Sequence, residues 1–296
     1  MAVQNTVFIF KTNMYIIKQK PEDFIVEEIP IKFLKKGKYK IYELKKINQT
    51  TQQAIKDLKV KNIKYAGNKD KVAVTTQHIS STKPLPLPLK GYLDKPLSLG
   101  DLKANKFTIK VRNTKEKQKI KFLENYFDDQ RFSKNNKEVG KLIVKKQYKE
   151  ACRILNIPQD NPIQSLRKEP LRFYIHAYQS YLFNEALKEY TNKDIKVKYS
   201  QGYLYFSKTK IKNIKIPLFN FETKHKLYNK IIKKEKITKE DFIFRSLPEL
   251  ISDQVYRDAI ITPKFISSSY KNKTQTIKFI LPKGSYATML IKKMFN

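Results

Sequence analysis

The chain has 296 residues, of which 40% are hydrophobic, so it can bury a core and form one or two domains. Its 62 Lys and Arg residues outnumber its 27 Asp and Glu residues, and the resulting formal net charge of +35 favours a polyanion as partner. The sequence has no apolar run near the ~18 residues that a membrane helix needs, and its single cysteine, Cys152, argues against an intramolecular disulfide or a multi-cysteine metal site.

The lysine excess has a second explanation. Lys, Asn, Ile and Tyr are all frequent, as an AT-rich genome would give, so part of the positive charge could be codon bias on a solvated surface. The excess is large enough that a polyanion partner remains the favoured interpretation. With no membrane segment and one cysteine, we expect a cytoplasmic protein in which Cys152 is a small buried hydrophobe.

The first predicted helix covers residues 50–60, where Thr50 is the N-cap and Gln53 completes a capping box. It leads to the segment Tyr65–Gln77, in which Asp70 stands between two lysines and precedes a β-prone run. This pattern predicts a tight turn that holds a carboxylate at the start of a strand, with positive charge beside it. An ordinary surface turn is the alternative, because Gly-Asn and Lys-Asp are common turn residues.

The middle of the chain begins with an extended connection, marked by prolines that cannot donate to a sheet: Pro84, Pro86, Pro88 and Pro96. Phe107–Arg112 alternates apolar and polar residues, which predicts a half-buried strand. We predict a second helix over Lys115–Asn125. A third helix is expected over Arg172–Tyr190, because its apolar residues fall on one helical face.

The remaining elements are shorter. Tyr199–Phe206 is typical of a hairpin that turns at Gln201 and Gly202. Near the end of the sequence, Thr276–Leu281 predicts a strand and Thr288–Met294 a short helix. Strands therefore occupy the N-terminal part and the last thirty or so residues, with a helical and hairpin segment between them.

Several kinds of site have no support in the sequence. No two of the seven glycines form Gly-x-Gly, which disfavours a dinucleotide fingerprint or a phosphate-cradling loop. The three histidines lack the spacing of metal ligands, and we expect His176 to be packed in a helix rather than catalytic. The chemistry that remains must use carboxylate, amine, amide and phenol groups.

Five segments in register along the chain resemble the tRNA pseudouridine synthase D (TruD) family. Besides the Asp70 segment, they are Lys18–Glu28, Asn125–Phe132, Arg172–Asn184 and Leu281–Thr288, and a shorter stretch, Gly100–Arg112, is also similar. The resemblance spans roughly residues 16 to 290 and is weakest between 188 and 270.

The resemblance implies an α+β fold with a pseudouridine synthase-like catalytic domain, built on a mixed or antiparallel sheet with flanking helices. In this family the catalytic domain is interrupted by a smaller inserted α/β (TRUD) domain. We therefore expect a discontinuous catalytic domain of residues 1–150 and 263–296, with the insertion at 151–262. Two consecutive domains are the alternative, and no linker in the sequence rejects it.

The resemblance also assigns roles to individual residues. Asp70 matches the catalytic aspartate, as nucleophile or base, and Lys18 matches a lysine that would keep it ionised or hold a phosphate. Asn125 and Phe127 match residues that line the uracil pocket, by hydrogen bonding and by stacking, and Tyr286 matches a second aromatic wall. By residue type alone, the two aromatic residues could be core, Asn125 a helix cap and Lys18 one more solvated lysine.

The implied activity is conversion of a tRNA uridine to pseudouridine, at uridine 13 of the D arm. It needs no metal or small-molecule cofactor, and we expect tRNA as partner, no membrane and a monomer. A non-catalytic basic protein that binds tRNA or rRNA is the competing interpretation, although such a binder has no need of a carboxylate facing phosphates. An S-adenosylmethionine-dependent methyltransferase is disfavoured because the glycine-rich loop is missing.

Overall fold

The structure is a computed structural model that describes residues 15–251 and 254–296. Its strands are β1 Phe24–Pro30, β2 Tyr39–Ile47, β3 Lys64–Tyr65, β4 Val74–Ser81, β5 Leu89–Leu93, β6 Leu102–Arg112, β7 Leu123–Glu124, β8 Ile195–Tyr199, β9 Gly202–Phe206, β10 Lys215–Pro217, β11 Tyr256–Asp258, β12 Ile260–Ile261, β13 Lys264–Lys271 and β14 Thr274–Pro282. Its helices are α1 Thr51–Asp57, α2 Asn136–Val144, α3 Tyr148–Leu155, α4 Pro162–Ser165, α5 Lys168–Tyr190, α6 Asn229–Glu235 and α7 Ala287–Phe295.

The chain folds into two compact units, each discontinuous in sequence. Unit 1 takes in the described residues up to Ile120, Thr262–Ala287 and Phe295. Unit 2 comprises Lys121–Ile261, Thr288–Met294 and Asn296. None of the helices in the described part of the chain is long and apolar enough to cross a bilayer.

Unit 1 is built on an eight-stranded mixed sheet in the order β13-β14-β6-β1-β4-β2-β5, with β3 paired to β4. β1 and β4 run parallel, and the other neighbouring strands run antiparallel. The predicted strand at Phe107–Arg112 is confirmed as part of the longer β6. On its buried face, Phe107 stacks on Phe279 of β14 with ring centroids 5.4 Å apart. This pairing joins the last strands of the sequence to the centre of the sheet.

The predicted helix after Thr50 is confirmed as α1. The Thr50 hydroxyl accepts a hydrogen bond from the Gln53 amide, and the Gln53 side chain accepts one from the Thr50 amide. The capping box fixes the start of the helix, and the helix ends at Asp57, three residues before the predicted end.

Unit 2 is organised around α5, which confirms the predicted helix and begins four residues earlier, at Lys168. The residues of its apolar face are fully buried: Ile175, Tyr178, Leu182 and Ala186. α2 crosses α5 at Gly140, where a Cβ atom would lie 2.0 Å from the carbonyl oxygen of Tyr174. A side chain at this position would separate the two helices, so glycine is required for the close approach.

The hairpin near residue 200 and the final strand and helix are also confirmed, as β8–β9, β14 and α7. The predicted helix over Lys115–Asn125 is wrong. Residues 114–122 form no regular element, and Leu123–Glu124 forms β7, paired with β12. The Gln275 side chain accepts a hydrogen bond from the Lys117 amide at 2.8 Å and donates one to the Lys117 carbonyl at 2.7 Å. These long-range contacts hold the backbone extended, and they override its local helix propensity.

Candidate active site

Asp70 lies in the loop between β3 and β4, and its backbone is fixed by buried side chains. The Lys46 ammonium donates hydrogen bonds to the carbonyl oxygens of Asp70 and Gln49, both at 2.7 Å. One residue earlier, the amide of Lys69 donates to the Thr51 hydroxyl at 3.1 Å. The loop is therefore held from β2 and from the start of α1, while the Asp70 side chain remains about one-fifth exposed.

The cation that contacts the Asp70 carboxylate is Lys18. Its Nζ lies 2.5 Å from Asp70 Oδ2 and 4.2 Å from the centroid of the Phe24 ring. Lys18 has a φ of +56°, and two residues before it Ile16 pairs with Arg112 through backbone hydrogen bonds. Arg112 is in turn bound to Asp23 through two contacts of 2.9 and 2.6 Å. The turn at Lys18 is thus anchored to β6, which directs its side chain at Asp70.

The sequence predicts positive charge from the adjacent lysines beside the Asp70 carboxylate. For Lys69 this is wrong, because its ammonium points to another group. Its ammonium lies 2.8 Å from a Glu28 oxygen and 2.9 Å from the Asn105 amide oxygen. The other Glu28 oxygen accepts a hydrogen bond from the His78 amide at 3.2 Å. Burial acts to raise the pKa of Glu28, but the contacts with His78 and Lys69 outweigh it and lower the pKa. Lys69 therefore serves a buried ion pair beneath the loop.

Lys46 is an unusual group in this loop, because only 3% of the residue is exposed. Burial lowers its pKa to about 8, although the nearby Asp70 carboxylate acts in the opposite direction. Its ammonium is bound to carbonyl oxygens, so Lys46 contributes to the position of the loop without touching the Asp70 carboxylate.

Tyr286 belongs to the same unit and is half-buried in the connection between β14 and α7. That connection and the Asp70 loop are both bound to Gly100. The Gly100 amide donates to the Ala66 carbonyl at 2.7 Å, and the Gly100 carbonyl accepts a hydrogen bond from the Lys283 ammonium at 2.8 Å. Gly100 has a φ of +97°, which favours glycine.

Asn125 and Phe127 lie in unit 2, in the segment after β7. Asn125 is buried, and its backbone and side chain are hydrogen-bonded to residues on β11 or next to it. Its carboxamide oxygen accepts a hydrogen bond from Arg257 at 2.7 Å, and its carboxamide nitrogen donates to the Asp258 carbonyl at 3.0 Å. The backbone amide of Asn125 donates to Ala259. The alternative of a helix cap is wrong, since no helix precedes this residue.

Phe127 is held by both its backbone and its ring. The Asn184 carboxamide exchanges two hydrogen bonds of 2.9 Å with the Phe127 backbone. The ring packs edge-on against Phe183, with centroids 5.5 Å apart. Two guanidinium groups lie near the ring, Arg257 at 4.2 Å and Arg131 at 5.8 Å from its centroid. This arrangement places positive charge over an aromatic face, a cation–π contact.

The acidic residues that follow Phe127 are neutralised by α7. Asp128 accepts hydrogen bonds from the Thr288 hydroxyl and from Lys292, the latter at 2.8 Å. Burial acts to raise the pKa of Asp128, but Lys292 outweighs it and holds the pKa low. In the same way, Lys293 lies 2.8 Å from the buried carboxylate of Glu124. Contacts with α7 therefore hold the segment 124–128 in place at both of its ends.

The sequence gives only a weak indication of the residues that hold the Asp70 loop, Asn125 and Phe127 in place. Lys46 is one of many lysines, and Arg257 lies in a part of the chain where the resemblance is weakest. Asn184 closes a segment that resembles the family, but nothing in that segment indicates the contact with Phe127. The interpretation of His176 is supported: it is half-buried, and burial together with Arg131 and Arg172 lowers its pKa to about 4.

Comparison with protein families gives one match that covers most of the chain. Residues 12–160 and 212–294 match the family described as tRNA pseudouridine synthase D (TruD). The candidate residues Lys18, Asp70, Asn125, Phe127 and Tyr286 lie inside the two matched stretches, and the run 172–184 lies outside them.

Individual relatives match over nearly their whole length. A protein of Nanoarchaeum equitans, named a probable tRNA pseudouridine synthase D, is 30% identical over 94% of this chain and 98% of its own. The tRNA pseudouridine synthase D of Aquifex aeolicus is 28% identical over 94% of this chain and 97% of its own. The first alignment spans 368 positions, more than the 296 residues here, so this chain lacks segments that the relative carries.

A solved structure shows the same fold. The crystal structure of a Methanosarcina mazei protein named in the same family superposes with a TM-score of 0.61, at 24% identity, over 94% of this chain and 93% of that one. With the mixed sheet and flanking helices of the present structure, this similarity confirms the α+β, pseudouridine synthase-like fold.

Proposed function

Since the chain belongs to the TruD family and is a tRNA pseudouridine synthase, an isomerase, we propose that it acts on uridine 13 of the D arm and uses Asp70 as the catalytic carboxylate. The observation that carries this proposal is the Lys18–Asp70 ion pair on an anchored loop of unit 1. A carboxylate that is paired with a cation and partly exposed can serve in either catalytic role of an aspartate.

The reaction breaks the N-glycosidic bond between N1 and C1′ of a uridine and joins C5 of the uracil to C1′ of the same ribose. C5 loses its proton and N1 gains one, so the product is an isomer of the substrate. The Asp70 carboxylate attacks C1′ as a nucleophile, or it removes a ribose proton as a base; each route divides one difficult step into two. The Lys18 ammonium pairs with Asp70 before the reaction, and because its side chain is partly exposed we propose that it can also bind a phosphate of the RNA. Protein side chains supply these steps without a cofactor.

The uracil has to leave its stack and be held while it turns. We assign that role to Asn125, Phe127 and Tyr286, the residues that the family resemblance matches to the uracil pocket, with hydrogen bonds from the carboxamide and stacking on the rings. Support for Phe127 is its fixed backbone and the guanidinium groups near its ring, which suit a site that receives RNA. The net charge of +35 supports tRNA as the polyanion partner.

The wider organisation remains a proposal as well. We assign residues 1–150 and 263–296 to the catalytic domain and residues 151–262 to the inserted domain. A monomeric protein located in the cytoplasm is the expectation from the sequence.

The test is to incubate the protein with unmodified tRNA transcripts and to map pseudouridine by carbodiimide adduct formation and primer extension. Modification at uridine 13 alone is the expected result. Modification at another uridine would overturn the assigned position and leave the activity intact. Binding of tRNA with no pseudouridine at any position would favour the basic RNA-binding protein.

A further inference from the structure

The carboxamide of Asn125 is fixed in one of its two orientations. Its oxygen faces a guanidinium nitrogen of Arg257 at 2.7 Å, and its nitrogen faces the carbonyl of Asp258 at 3.0 Å. A guanidinium can only donate hydrogen bonds and a backbone carbonyl can only accept them, so the two partners define which end of the amide is oxygen. A flipped carboxamide would place N–H against N–H and oxygen against oxygen.

Arg257 carries most of this constraint. A second nitrogen, Nε, donates to the backbone carbonyl of Asn125 at 2.9 Å, so the guanidinium bridges the backbone and the side chain of one residue. The same group lies 4.2 Å from the centroid of the Phe127 ring. One arginine therefore contacts both of the residues that the proposed function assigns to the uracil in this unit.

The fixed orientation has a consequence for the base. A carboxamide offers two N–H donors and two acceptor lone pairs, and the contacts with Arg257 and Asp258 use one of each. The remaining donor and acceptor match the position-4 side of the Watson–Crick edge of uracil, where the O4 carbonyl accepts and N3–H donates. On that side cytosine presents an amino donor and an N3 acceptor, and an amide could serve it only after a flip.

We propose that Arg257 is a specificity-determining residue, which locks the Asn125 carboxamide in the orientation that accepts uracil and rejects cytosine. This inference rests on the proposed function, since it takes Asn125 as a residue that contacts the base. Arg257 itself acts through Asn125 and is a positioning residue.

The first experiment compares Arg257→Lys with Arg172→Lys. Arg172 is a matched control because it too donates two hydrogen bonds to a single residue. Both go to the backbone carbonyl of Glu249, at 3.0 and 2.7 Å, and Arg172 has no described contact with Asn125 or Phe127. Two transcripts are competed for each protein, one with the mapped target uridine and one with cytidine there. The wild type and R172K should prefer uridine by roughly tenfold. R257K should lose most of that preference, and equal preference in all three proteins would overturn the proposal.

A double-mutant cycle separates positioning from general stability. In single-turnover reactions, R257K should slow pseudouridine formation by roughly tenfold in the wild-type background and by less than about twofold in an Asn125→Ala background. If the two backgrounds respond equally, Arg257 does not act through Asn125. Rates are referred to the folded fraction measured by melting, so that a loss of stability is not counted as a loss of rate.

A third measurement needs no activity. The side-chain N–H signals of Asn125, identified in NMR spectra by their loss in N125A, should exchange hydrogen at least about tenfold more slowly than those of Asn272, which is exposed. Equal exchange would show that the amide is not locked, even if pseudouridine is formed. Protected exchange in a protein that makes no pseudouridine would instead leave the lock in place and overturn the proposed function.

Discussion

The ammonium of Lys18 lies 2.5 Å from the carboxylate of Asp70, although 52 positions separate the two residues in the sequence. Both side chains are about one-fifth exposed, so the pair is neither buried nor fully solvated. A pair of this kind gains Coulomb energy in an intermediate dielectric and keeps a route open to a ligand. It therefore contributes little to the stability of the fold, and both charged groups stay accessible from solvent.

Asp70→Asn should remove isomerisation and retain the fold. A neutral amide is neither a competent nucleophile nor a base, and we expect the single-turnover rate to fall by roughly 10³-fold or more. Asp57→Asn is the control, since Asp57 is an exposed carboxylate in the same unit. Binding of tRNA and the melting temperature should stay close to the wild type in both variants. Normal pseudouridine formation by D70N would remove Asp70 from the mechanism.

Lys18→Met should lower the rate without a large loss of stability. The charge next to Asp70 is removed, and we expect a fall of roughly tenfold, or about 1.4 kcal/mol in the barrier. Because the pair is partly exposed, unfolding should be easier by less than about 1 kcal/mol. Lys20→Met removes an exposed lysine two positions away and should leave the rate unchanged. Equal rates for K18M and K20M would show that the pair has no catalytic role.

Lys46 should give the folding free energy a dependence on alkaline pH. Its pKa is about 8 in the folded protein and 10.5 when unperturbed, so between these values the unfolded chain holds a proton that the folded protein does not. The Lys46 contribution to the free energy of unfolding therefore rises with pH in this window, by at most about 1.4 kcal/mol per pH unit. Urea unfolding of wild type and Lys46→Met at pH 7.5, 9 and 10 measures the difference, and parallel pH profiles would contradict the assignment.

Phe127→Leu should slow turnover more than it weakens tRNA binding. Loss of a stacking face for a flipped base is worth ~1 to 3 kcal/mol, whereas overall affinity comes mainly from backbone contacts. Phe183→Leu is the matched control, because Phe183 packs against the same ring and is fully buried. Both variants should melt at a lower temperature, but only F127L should be slow per folded molecule. A similar rate in the two variants would show that Phe127 packs in the core and does not stack on the base.

Affinity for tRNA should fall steeply with salt. If lysine–phosphate contacts dominate, log K falls linearly with log salt at about 0.9 per contacted phosphate in duplex regions. Filter-binding measurements at several salt concentrations give the slope. An affinity that does not respond to salt would support codon bias as the origin of the lysines.

The elements that could be predicted from the sequence are those set by local periodicity and capping. α5 has a continuous apolar face, β6 alternates, and the Thr50–Gln53 pair marks the start of α1. The prediction over Lys115–Asn125 failed because Gln275, 158 positions after Lys117, decides the backbone there. Local propensity carries no information about such a contact.

The residues of the candidate site also fall into those that the local sequence indicates and those that only long-range contacts reveal. Asp70 stands out because its short segment has a recognisable pattern with Lys69 and Lys71 beside it. The contact with Lys18 agrees with the resemblance, which matched Lys18 to this role, whereas Lys69 turns to Glu28. Arg257 could not be found from its own surroundings, since its partner Asn125 lies 132 positions earlier. Groups that hold a site from a distance follow from the fold and not from the motif.

The pairing of α7 with the segment after β7 has a consequence for synthesis on the ribosome. Glu124 and Asp128 emerge early, whereas their cations Lys293 and Lys292 follow 169 and 164 positions later. Until those lysines leave the exit tunnel, closing unit 2 around two unpaired carboxylates would cost several kcal/mol for each charge. The nascent chain must therefore keep this segment hydrated, and unit 2 completes its interior only after translation has passed α7.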